Sequence, residues 1–168
     1  MSKVSQNFAQ YLRSLQIVFG ALVAGQVITL TIFYVLPQAS GTALPGEGLA
    51  IRIPIVILLL LPAAFFLGRN RIEAARNLPT LKEKMMAYRT ALVLRWALLE
   101  GSGLLAAVFF FLSRNTLLLA VAGVIILVFM LFVPSRERTI SDLDLSTTEQ
   151  AALDDPNEIV ADIQQRGF

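Results

Sequence analysis

The stretch ALVLRWALLEGSGLLAAVFFFLSRNTLLLAVAGVIILVFMLFV, residues 91–133, decides the fold. It holds two apolar runs, residues 91–112 and 117–133, separated by only Ser113, Arg114, Asn115 and Thr116. A helix rising about 1.5 Å per residue needs about 17–25 apolar residues to cross a hydrocarbon core of roughly 30 Å, and both runs fall in that range. The second run has no polar side chain at all. So short a link makes the two helices antiparallel neighbours. The stretch therefore predicts a transmembrane hairpin.

The chain before it repeats the pattern. A block at residues 15–36 is interrupted by Gln16, Gln26, Thr29, Thr31 and glycines and closed by Pro37. It exceeds the apolar core of about 7–15 residues found in a signal peptide, so it reads as an uncleaved anchor. After a Pro- and Gly-rich loop at 37–48 comes a block at 49–67, with Arg52 and Pro54 near its start and Pro62 inside it. Pro54 suits a first helical turn, and Arg52 can extend to the outer interface. Pro62 leaves the carbonyl of Leu58 without its usual donor and predicts a kink. Composition agrees: of 168 residues, 56% are hydrophobic and 15% charged, against about 25% charged in a typical soluble domain.

The expected architecture is an all-α integral membrane protein whose four transmembrane helices form two hairpins. The spans fall at about 13–36, 49–68, 90–112 and 116–134, giving a membrane domain at 1–138. Orientation follows from charge. The basic loop 69–89 carries Arg69, Arg71, Arg76, Lys82, Lys84 and Arg89 against Glu73 and Glu83. Lys3, Arg13, Arg136 and Arg138 fall on the same side, while Arg52 and Arg114 lie opposite, so the positive-inside rule puts both termini in the cytoplasm. Thr80 and Glu83 have capping-box spacing, so the third helix starts near Thr80, ahead of its apolar run. Residues 139–168 invert the charge balance, with seven acids against Arg166, and form an acidic soluble tail. Ser146 and Glu149 have capping-box spacing for a short helix ending before Pro156, and residues 155–158 could start another. Leu143, Leu145, Leu153, Ile159, Val160 and Ile163 equip the tail to dock on a partner or to fold back on the basic loop.

Absent residue types narrow the chemistry. The chain has no cysteine and no histidine. That removes thiol nucleophiles, thiolate or imidazole metal ligands and imidazole acid/base catalysis. Neither a phosphate-binding Gly-rich loop nor a GxSxG elbow occurs, so the chain is expected to be no enzyme and to hold no metal or cofactor. No family motif stands out: the glycine ladder of proteolipid rotor subunits is missing, and the intramembrane glutamate is not in the first span, where small multidrug exporters carry theirs.

That glutamate is Glu100, near the middle of the third span. An ionisable group there costs about 2.5–3.5 kcal/mol on insertion scales and is a functional-site hypothesis by default. Gln26 and Thr29, halfway along the first span, are its natural polar partners, and the three form a membrane-embedded polar site. Glu100 works as a proton or cation site, serves as a protonated, hydrogen-bonded structural group, or forms an assembly ion pair with a basic residue of another subunit. Arg95 and Trp96 read as anchors near the inner interface. Helix packing is assigned to the small residues Gly20, Ala21, Ala24 and Gly25 of the first span and Ala97, Gly101, Gly103 and Ala107 of the third.

The functional expectation is a non-catalytic accessory, assembly or scaffolding component of a membrane complex in a bacterial inner membrane. Its partners are the lipid bilayer and another protein or further copies of itself, with no nucleic acid. The alternative is an oligomeric proton- or cation-coupled transporter or channel subunit using Glu100.

Overall fold

A computed structural model describes residues 2–37 and 47–165. Most of the expected 37–48 loop and the side chain of Arg52 lie outside the described residues. Along the described chain run β1 (Ser2–Gln6), α1 (Phe8–Val35), α2 (Glu47–Arg76), α3 (Leu81–Ser113), α4 (Thr116–Met130), α5 (Arg136–Leu143), α6 (Thr147–Asp154) and β2 (Ala161–Gln165). The fold is helical, and α1, α2 and α3 each contain a segment long and apolar enough to cross a membrane. At 15 residues, α4 reaches only about 22 Å. Its last turn tightens, with Leu131 N–H donating to Val128 O (3.1 Å) and Phe132 N–H to Phe129 O (2.9 Å), before Pro134 ends the run.

The helix starts follow from local chemistry. Asn7 accepts from the Gln10 N–H at 3.0 Å, and Gln10 Oε1 accepts from the Asn7 N–H at 3.3 Å. This reciprocal cap starts α1 at Phe8, about five residues ahead of the predicted span. Thr80 and Glu83 form the anticipated pair at the start of α3, with Thr80 Oγ accepting from the Glu83 N–H at 3.2 Å. Asn115, Ser135 and Ser146 cap α4, α5 and α6, the last with the full capping box.

Three features differ from the sequence reading. The 69–89 segment is helical for most of its length, because α2 runs to Arg76 and α3 begins at Leu81. Ala74 and Ala75 favour helix and Arg69 pairs with Glu73 one turn on at 2.8 Å, so nothing ends α2 before the approach to Pro79. Residues 155–158 form a turn and not a further helix start, and the chain continues into β2. That strand pairs antiparallel with β1, Ser2 opposite Gln165 and Gln6 opposite Ala161.

The chain divides into two compact units. The first comprises Met1–Phe19, Leu67–Leu94 and Pro134–Phe168. Its buried side chains include Tyr11, Leu15, Ile72, Met85, Tyr88 and Leu92, together with Leu143, Leu145, Leu153 and Val160 of the C-terminal arm. Four of the six arm residues expected to dock are therefore buried, whereas Ile159 is exposed and the side chain of Ile163 lies outside the described residues. The second unit comprises Gly20–Phe66 and Arg95–Val133. Its core gathers Ile57, Ala106, Phe110, Leu118, Ala122 and Ile125. Arg114, in a left-handed conformation (φ 52°) at the α3–α4 turn, donates to the carbonyls of Phe33, Tyr34 and Leu36. These are carbonyls at the end of α1 that would otherwise lack donors. Its guanidinium also lies over Phe110 and Phe111.

Candidate functional site

Two places in the structure gather polar chemistry, one in each unit. In the second unit, Gln26 of α1 is buried, at 2% exposure. Its amide nitrogen donates to the backbone carbonyls of Glu100 (3.2 Å) and Leu99 (3.4 Å) on α3. Gly103 makes this approach possible: a Cβ there would strike the Gln26 side chain, at 2.7 Å from Cδ, and lie 3.3 Å from Ile125 Cγ2. The amide oxygen of Gln26 is buried and meets no hydrogen-bond donor among the described residues.

Gln26 thus meets Glu100, but through the backbone and not through the carboxyl group. Among the described residues no hydrogen bond or ion pair reaches that carboxyl. Glu100 is half-buried, between exposed Ala97 and half-buried Gly101 and Leu104. Thr29 is half-buried too, and no side-chain hydrogen bond joins it to Glu100 among the described residues.

The small residues separate into two groups. Gly103 and Ala107 are buried within the chain. Gly20, Ala21, Ala24 and Ala97 are exposed and Gly25 and Gly101 half-buried, and a Cβ added at Gly20, Gly25 or Gly101 would meet nothing within 4 Å. Trp96 is fully buried, so it is a core residue and not an interfacial anchor. Arg95 is buried at 7% exposure, with its guanidinium 5.0 Å from the centre of the Phe132 ring, which meets Phe65 edge-on at 5.3 Å. A charge so placed keeps a favourable ring face where water is excluded.

In the first unit, the C-terminal arm is clamped to the end of α2 and the start of α3. Lys84 pairs with Glu149 at 2.7 Å and Lys82 with Asp162 at 2.5 Å. Arg76 donates to the carbonyls of Asp142 (2.5 Å) and Ser141 (3.4 Å). Tyr88 donates to Asp142 Oδ2 at 2.8 Å. Asn7 donates to the Pro156 carbonyl at 3.1 Å, and Gln16 to the Pro134 carbonyl at 3.2 Å. The hydrogen bond from Lys84 holds the Glu149 carboxyl below the ordinary carboxylate range, helped by the Ser146 cap.

The chain matches no known protein family, no curated protein and no solved structure.

Of the remaining features, an apolar cleft of about 470 Å³ opens between α2 and α4, lined by Ile57, Leu61, Val121 and Ile125 among others. No cluster of three or more acidic side chains at metal-holding distances occurs among the described residues. Sequence reasoning missed the Asn7–Gln10 cap, the clamp partners and the role of Arg114. The first was visible as an Asn followed three residues later by Gln. The pairing of Lys84 with Glu149, 65 residues apart, had no local signal.

Proposed function

We propose that the protein is a four-span, non-catalytic membrane component that assembles or scaffolds a larger complex. Both termini face the cytoplasm, in a bacterial inner membrane. Three of the spans rest on helices of sufficient length, and the fourth on the apolar run 117–133 continuing past α4 through its tightened last turn. Charge supports the orientation: Glu47, Arg52, Arg95, Glu100 and Arg114 are the charged residues of the second unit, and all the others belong to the first.

The clamped arm is the observation that carries the scaffold reading. An acidic tail free in solution would pay a large ordering cost on meeting a partner, whereas this one is already ordered by ion pairs, buried leucines and a strand pairing. It presents Asp155, Glu158 and Ile159 at the surface, and Ile159 is 48% exposed. An exposed isoleucine flanked by acids suits a basic and apolar partner surface. The test is copurification from native membranes of the full chain against a variant carrying Asp155→Lys, Glu158→Lys and Ile159→Ser. The scaffold reading expects a protein to be lost from the variant's preparation. An identical set of copurifying proteins, also retained when residues 139–168 are deleted, would refute it.

The carboxyl of Glu100, unpaired among the described residues, favours a second reading, a proton- or cation-coupled subunit. Glu100→Gln separates the two: a scaffold keeps its partners and its cellular role, whereas a coupled transporter assembles but loses flux.

A further inference from the structure

We infer that the Glu100 face of α3 is the contact between two copies of this chain, in which the two Glu100 carboxyl groups hydrogen-bond to each other across a two-fold axis. The inference rests on the membrane reading but on neither functional role.

Glu100 lies nine residues past Ala91 and twelve before Leu112, or about 14 Å and 18 Å along the helix from the ends of the apolar run. A carboxyl group at that level without a partner has lost its hydration and gained nothing for it. Its own chain supplies no partner among the described residues. Gln26, the polar side chain that reaches this turn of α3, spends its donor on backbone carbonyls. Of the cations in the spans, Arg95 is buried with its guanidinium over Phe132 and Arg114 caps the end of α1, while Arg13 and Arg52 stand at the ends of their spans by sequence position.

A second copy therefore brings no cation to Glu100 at this depth, but it brings another Glu100. A neutral carboxyl group carries both a donor and an acceptor, so two of them satisfy each other, and a group that pairs with itself is what a two-fold interface requires. The surrounding surface permits the approach. Ala97 and Gly101 flank Glu100, Ala97 is exposed, and the space in front of Gly101 is open to 4 Å from an added Cβ. Small residues at this spacing let helix backbones come close enough for side chains as short as glutamate to meet.

Disulfide trapping tests this directly, since the chain has no native cysteine. Ala97→Cys, Gly101→Cys and, as a control on α4, exposed Val124→Cys are oxidised in native membranes in the full-length protein. A disulfide needs Cα atoms within about 7 Å, so trapping reports close approach. The expected result is a covalent dimer from Ala97→Cys or Gly101→Cys and none from Val124→Cys. Adding Glu100→Leu should lower the trapped fraction about threefold to tenfold, and adding Glu100→Gln, whose amide also pairs with itself, should leave it nearly unchanged. No dimer from either α3 position, equal trapping at Val124→Cys, adducts with a different protein, or a yield indifferent to Glu100→Leu would each overturn the inference.

Discussion

Replacing Gly103 by alanine probes the contact that joins α1, α3 and α4. The added methyl would occupy space now held by the Gln26 amide and lie 3.3 Å from Ile125. The amide is the end of a flexible side chain and can move, but moving it breaks its hydrogen bonds to the carbonyls of Leu99 and Glu100. A side-chain hydrogen bond between membrane helices contributes about 0.6 kcal/mol on average and about 1.7 at most. Overpacking a close-fitted site adds about 1–3 kcal/mol. Gly103→Ala should therefore destabilise the protein by about 1–3 kcal/mol. The decisive comparison is a double-mutant cycle. In a Gln26→Ala background the colliding atoms are gone and the new methyl fills vacated space, so the same substitution should cost close to nothing. Reversible unfolding in mixed micelles at rising dodecyl sulfate fraction measures all four corners. Equal costs of Gly103→Ala in both backgrounds, or no cost in either, would refute the packing argument.

The clamp has an acid dependence with a definite sign. Because Lys84 lowers the Glu149 carboxyl below its ordinary value, its contribution is complete above about pH 4.3 and is lost as pH falls through the lowered value. The protection of α6 amides, taken relative to their intrinsic exchange rates at each pH, should fall over that interval, and Glu149→Gln, which keeps the capping box, should abolish this component and leave protection at the acid level throughout. Phe132→Leu removes both the ring under Arg95 and the edge contact with Phe65, and should cost about 1–3 kcal/mol in the micelle assay. Phe129→Leu, which removes a second fully buried ring close by in sequence, provides the comparison.

How much of this was legible in the sequence differs by scale. Hydropathy exposes long apolar helices because a span must satisfy its backbone internally and face lipid with apolar side chains over a fixed length. The α3 start at Thr80 and the α6 box at Ser146 were readable because caps are local chemistry. The β1–β2 ribbon was not, since Ser2 and Gln165 meet only after the whole chain has folded between them, and short polar strands carry little periodicity. The helical nature of 69–76 was obscured by its charge, although arginine and alanine are good helix formers. Trp96 was misplaced by a statistical preference for interfaces that yields to packing when the helix turns that face inward. At the intramembrane site, residue types identified Gln26, Glu100 and Gly103, yet which atoms meet depends on a rotation of α1 against α3 that composition does not encode.

Both functional readings depend on the number of membrane crossings and their direction. Single cysteines at Ser40, Asn77, Asn115 and Ser141, each in the otherwise cysteine-free chain, can be exposed in intact cells to a membrane-impermeant thiol reagent. Four spans with both ends in the cytoplasm predict labelling at Ser40 and Asn115 and protection at Asn77 and Ser141 until the cells are opened. Labelling of Asn77 or Ser141 in intact cells, or protection of Asn115, would contradict it.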